Sequence, residues 1–196
     1  MTDRIQAFQA AVKEIGWQDK YASHLYIGEP NEIPPASESQ EIVLDPPWTR
    51  VQSRDRGEVK IIADFMSLNN ALDFSYWDML KQVERLPRLN QIVDTTNLLD
   101  FPEGWERSKA VLLAACDQSG LATDCLAFDD ERPRVKGAQS LLLKQEKING
   151  GLSYTVYTVA RDKENLVAIF YSRYDSTYFA YCKLKKTLKF DSRPAV

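Results

Sequence analysis

The apolar positions of this chain change their spacing as it proceeds, and the changes predict its elements. Ile5, Phe8, Val12 and Ile15 recur every three or four residues, as the buried face of a helix does, and Gly16 marks the end of that helix. Tyr21 to Gly28 reads as a short strand carrying the sole histidine, His24. Residues 29–40 (EPNEIPPASESQ) hold three prolines and no basic residue, so they read as a surface loop. Beyond them Glu41 to Phe65 contains alternating segments. Asp55-Arg56-Gly57 supplies the turn of a tight hairpin, and the paired prolines of Asp45-Pro46-Pro47-Trp48 are a rigid break between strands.

Leu68, Ala71, Leu72, Ser75, Tyr76, Met79, Leu80 and Val83 return to helical spacing. Leu89 to Leu99 fits either a short helix or a strand. Asp100-Phe101-Pro102 reads as the start of a helix running to Gly120, with a capping acid and proline in the first turn. A buried strand is predicted over Thr123 to Phe128, then a charged loop, DDERPRVK. The last third holds four β-branched and aromatic runs, QSLLLKQEKI, LSYTVYTVA, LVAIFYSRY and TYFAYCKLKK, which predict an antiparallel meander of four strands. No internal repeat is visible. The expected fold is a single α+β domain over residues 1–196: an N-terminal helix, a central β-hairpin with two or three covering helices, and a C-terminal antiparallel β-meander.

Composition narrows the class. With 28 acidic and 25 basic residues the net charge of −3 disfavours attachment to nucleic acid or anionic lipid by bulk electrostatics, although a local basic patch would still allow nucleic-acid contact. The longest apolar run, Ala110 to Cys116, is far short of the roughly 20 residues that cross a bilayer, so no membrane partner is expected. No signal peptide is visible. Cys116, Cys125 and Cys182 are odd in number and lack Cys-x-x-Cys spacing, which argues against a disulfide framework and for a reducing, cytoplasmic setting.

Three stretches carry candidate chemistry. Asp45 stands 13 residues before Glu58, and Lys60 shares a strand face with Glu58. This Asp…Glu-x-Lys pattern resembles the PD-(D/E)xK nuclease superfamily. The resemblance implies catalytic roles for Asp45, Glu58 and Lys60, and magnesium as cofactor, held by Asp45 and Glu58 with Glu14 of the first helix as an extra ligand. It departs from the family pattern in that two prolines follow the aspartate. Asp45-Pro46-Pro47-Trp48 also looks like the catalytic motif of amino-group methyltransferases, but the chain has no glycine turn for their cofactor. Finally, Phe170 with Tyr174 and Phe179 with Tyr181 would line sheet faces able to stack bases, beside Lys183, Lys185, Lys186, Lys189 and Arg193.

The leading expectation is an accessory or interaction protein of inhibitor, immunity or adaptor type, which binds another protein through its acidic loop (Glu29, Glu32, Glu38, Glu41, Asp45) or its basic C-terminal tip. The alternative is the magnesium-dependent nuclease. Edge strands of the meander could also pair two copies into a homodimer.

Overall fold

A computed structural model describes residues 2–21, 24–32, 38–93, 103–134, 140–160 and 163–186. The class is α+β, with an N-terminal helix and C-terminal strands, and the chain divides into two compact units, one within Met1–Leu86 and the other spanning Pro87–Thr187.

In the first unit α1 (Thr2–Glu14) and α2 (Trp17–Tyr21) precede β1 (His24–Gly28), β2 (Glu38–Asp45), β3 (Trp48–Asp55), β4 (Glu58–Phe65) and α3 (Leu68–Gln82). β1 runs parallel to β2, and β2, β3 and β4 form an antiparallel meander. The turn at Arg56-Gly57 has φ of 49° and 86°, the left-handed pair that closes a two-residue hairpin. Ser67 caps α3 by accepting from the Asn70 N–H at 3.3 Å. Ile42, Val51, Ala63 and Phe65 lie on the sheet face that α3 covers, and Phe65 meets Phe74 of α3 at 5.5 Å between ring centroids. Phe8 and Val12 of α1 and Ile15 just after it are buried as their spacing predicts, and Trp17 donates from Nε1 to Gln82 at 2.7 Å.

The second unit contains α4 (Leu89–Ile92), α5 (Trp105–Gln118), β5 (Leu126–Phe128), β6 (Ser140–Ile148), β7 (Gly151–Ala160), β8 (Lys163–Phe170) and α6 (Arg173–Leu184). Its order repeats the first: a helix, a short strand parallel to the next, a three-stranded meander and a closing helix. The repeat extends to individual residues. The row Ile27, Ile42, Val51, Ala63 matches Phe128, Leu143, Val156, Ala168. One residue is left unpaired after each row, Ile62 in β4 and Val167 in β8, giving the same bulge. Phe65, Ser67 and Phe74 correspond to Phe170, Ser172 and Phe179, and the second phenylalanine pair meets at 5.3 Å. The chain therefore does contain an internal repeat, contrary to the sequence reading. The two units keep burial and register while most residue types differ, so the repeat is not visible in the residues themselves.

The structure also corrects the last predicted strand. TYFAYCKL lies in helix α6, where Ser176 to Cys182 are all buried. A helix buried on every side leaves no apolar/polar period, so its aromatic and β-branched content imitates a strand. Phe179 and Tyr181 consequently share no sheet face, and Phe170 and Phe179 are fully buried against each other, so the base-stacking platform does not form. The predicted helix start at Asp100-Phe101-Pro102 lies outside the described residues; the helix itself is seen from Trp105.

Candidate functional site

Strand β3 separates the nuclease-like residues. Asp45 ends β2 opposite Trp48, at one end of β3, while Glu58 begins β4 opposite Asp55, at the other. Seven residue steps at about 3.3 Å each put their backbones about 23 Å apart, whereas oxygens sharing one magnesium ion lie about 2 Å from it. Lys60 pairs with Ser53 beside Glu58, as the sequence spacing requires, and Asp45, Glu58 and Lys60 are all exposed. Glu14 is exposed at the end of α1. The structure thus brings Glu58 and Lys60 together and leaves Asp45 distant. Among the described residues no group of three or more His, Cys, Asp or Glu side chains could hold a metal ion. Pro46 and Pro47 form the two-residue connection between β2 and β3.

The acidic stretch is not one surface. Residues 33–37 lie outside the described residues, and Glu41 is buried, with none of its side chain accessible. Its carboxylate accepts from the Ser39 hydroxyl at 2.6 Å, Gln52 Nε2 at 2.6 Å and Arg54 Nε at 2.8 Å. Burial raises its pKa, but the bonds from Arg54, Ser39 and Gln52, with the Arg54 charge, outweigh burial and hold it below the ordinary value. At the C-terminal tip, Lys183 lies over the Phe179 ring, and Lys185 lies over the Tyr181 ring and donates to its hydroxyl at 3.2 Å, all within α6. Lys189 and Arg193 lie outside the described residues.

The repeat indicates which polar residues the framework does not require, because each unit builds the same frame with different side chains. Where the first unit has Leu44, Thr49, Leu68 and Asn69, the second has Gln145, Tyr154, Arg173 and Tyr174. The β6–β7 hairpin is also longer than its counterpart. After the pair Glu146 and Ser153, which matches Asp45 and Trp48, it adds Lys147 opposite Leu152 and Ile148 opposite Gly151, and closes at Asn149-Gly150.

These residues form one cluster. Arg173 opens α6, donates from Nη2 to the Tyr174 hydroxyl at 2.9 Å and lies over the Tyr174 ring at 4.7 Å. Its charged form is favoured by the bond to Tyr174, against a smaller cost of burial, and by a further bond to Tyr154. Gln145 Nε2 donates to the Tyr154 hydroxyl at 3.3 Å, and the Tyr154 ring packs at 5.2 Å on Trp105. Asp129 fixes Trp105 by accepting from its Nε1 at 3.0 Å, and it also accepts from Lys109 Nζ at 3.0 Å and from the Gln145 N–H at 3.2 Å. Leu152 is 55% exposed and Tyr174 63%, the two most exposed large apolar or aromatic side chains among the described residues.

Gln145, Lys147, Leu152 and Tyr154 read in sequence as ordinary strand positions, and Arg173 and Tyr174 fall in a run that reads as a strand, so the sequence does not point to this cluster. The one available signal was Ser172 before an apolar run, a helix start that would have detached Tyr174 from the sheet. Comparison with protein-family models, with curated proteins and with solved structures finds no match for this chain.

Proposed function

We propose that the chain acts by binding another macromolecule, of the inhibitor, immunity or adaptor kind, through the end of the β6–β7 hairpin and the start of α6. The observation that carries this reading is the cluster of Leu152, Tyr154, Arg173 and Tyr174, which the repeat marks as additional to the framework. Tyrosine and arginine are the residue types that dominate binding energy at protein interfaces, because they offer large rigid contact area together with polar atoms. Here Arg173 and Tyr174 are bonded to each other, and Arg173 also meets the buried Tyr154, which Trp105 and Gln145 hold in place, so the arginine would lose little conformational freedom when a partner docks.

Site-specific photocrosslinking tests this reading. Benzoylphenylalanine placed at Leu152 and at Tyr174 in cells should give a discrete adduct that Arg173→Gln abolishes, while the same probe at exposed Val59 in β4 gives none. Equal labelling from all three positions would overturn the reading. So would divalent-metal-dependent cleavage of DNA or RNA that Asp45→Asn removes, which would return the chain to the nuclease class.

A further inference from the structure

We infer that the occupant of this surface is an acidic peptide segment, whose carboxylates meet Arg173 and Lys147 and whose apolar side chain lies on Leu152 and the Tyr174 ring. The inference rests on the binding role proposed above and adds the chemistry of the partner. Its basis is charge. Arg173 meets the phenols of Tyr174 and Tyr154 and forms no ion pair with a carboxylate among the described residues. Guanidinium carries five donors in a planar fork that matches a carboxylate. Arg50 and Arg54 of the first unit are bound in that way, to Asp64 and Glu41 at 2.8 Å each.

Lys147 is exposed on the hairpin extension with no ion pair among the described residues, directly opposite Leu152. Leu152 and Tyr154 share a strand face, α6 packs on β7, and the Tyr154 phenol meets Arg173; Tyr154 itself is buried, so Lys147, Leu152, Arg173 and Tyr174 are the accessible members of the strip. The strip holds two cations and exposed apolar area. The nearby carboxylate of Asp129 is already committed to Lys109, Trp105 and the Gln145 N–H. A nucleic acid fits less well, because two cations on a chain of net charge −3 give a small electrostatic footprint.

The experiment pans short random peptides displayed on phage against the full-length protein. Fluorescent copies of the enriched peptides are then titrated by anisotropy against the wild type, Arg173→Gln, Arg173→Lys, Lys147→Gln, Leu152→Ser, Tyr174→Ala and the distant control Val59→Ser. Enriched peptides should carry Asp or Glu beside an apolar residue. Arg173→Gln should weaken them about tenfold, as expected for a lost charge-assisted bond, with Arg173→Lys between the two and Val59→Ser unchanged. Affinity should fall several-fold as salt rises from about 0.05 to about 0.3 M. Far-ultraviolet circular dichroism of each variant, with Arg173→Lys as the conservative replacement, separates lost binding from lost folding.

Peptides without carboxylates, or peptides indifferent to both Arg173→Gln and Lys147→Gln, would overturn the acidic occupant. The binding role would survive that result provided Leu152→Ser and Tyr174→Ala still weakened them. Failure to enrich any peptide, or enrichment of peptides insensitive to every variant of the strip, would overturn both. Binding of oligo-dT that Arg173→Gln abolishes would replace the peptide with a nucleic acid.

Discussion

Replacing Glu41 with leucine tests whether a repeated frame can exchange a buried charge for apolar packing. Glu41 lies in the row Tyr26, Glu41, Gln52, Ile61, and the matching row of the second unit is Ala127, Leu142, Tyr157, Leu166; two rows on, Arg54 matches Val159. Ala127, Leu142 and Val159 are buried together with Tyr157 packed against them, so the second unit fills with apolar atoms what the first fills with a paired carboxylate. Glu41→Leu alone leaves the Ser39 hydroxyl and the Gln52 amide buried without their acceptor. At about 1–3 kcal/mol for each orphaned group, less a small gain from leucine packing, the loss is about 2–4 kcal/mol. For a chain of this size that lowers Tm by about 4–16 °C.

The triple variant Glu41→Leu, Gln52→Tyr, Arg54→Val removes the acceptor together with the Gln52 and Arg54 donors and keeps the Ser39 hydroxyl, whose counterpart in the second unit is also a buried serine, Ser140. It should recover a substantial part of the loss, as replacement of a whole buried ionic group by apolar residues does elsewhere. Urea unfolding followed both by tryptophan fluorescence and by far-ultraviolet circular dichroism measures both variants. A single variant within about 0.5 kcal/mol of the wild type would refute the account of the buried network. A triple variant less stable than the single one would refute the equivalence of the two rows.

Acidification should act on the same group. The folded pKa of Glu41 is lowered from 4.5, so its contribution to stability is complete above that value and is lost as pH falls through the folded pKa. Glu164, held low by bonds from Lys144 and Arg132, behaves in the same way, so urea midpoints should hold from neutrality to about pH 5 and then fall; a midpoint that rises on acidification would contradict this. Asp129 has a left-handed backbone (φ 54°) that asparagine tolerates well and alanine poorly. Asp129→Asn should cost about 1–2 kcal/mol, reduced because the side chain is 38% exposed, while Asp129→Ala should cost more and change Trp105 fluorescence; equal losses would deny the backbone contribution. Cys116 is fully buried and burial pushes its thiol up to about 12, so an aromatic disulfide reagent at pH 8 should label the half-buried Cys125 first and reach Cys116 only on unfolding.

What the sequence alone settled were the elements whose signals are local. The spacing of Phe8, Val12 and Ile15 determined α1, the Arg56-Gly57 turn determined the β3–β4 hairpin, and Asn149-Gly150 separated β6 from β7, because helical period and left-handed turns are properties of neighbouring residues. The α+β class followed from these. Tertiary structure decided the rest, where the physics is non-local. α6 is a helix because its aromatic residues pack on β7, β8 and α5 from several sides, which erases the period that would have identified it. Asp45 and Glu58 lie apart because the intervening strand is fully extended between them, a distance that their spacing in sequence does not convey. The strip at Lys147, Leu152, Arg173 and Tyr174 exists because register places a hairpin extension on the strand that the first helix after it packs against. Register is set by pairing between strands, so neither the strip nor the repeat that singles it out could be read from residues taken in order.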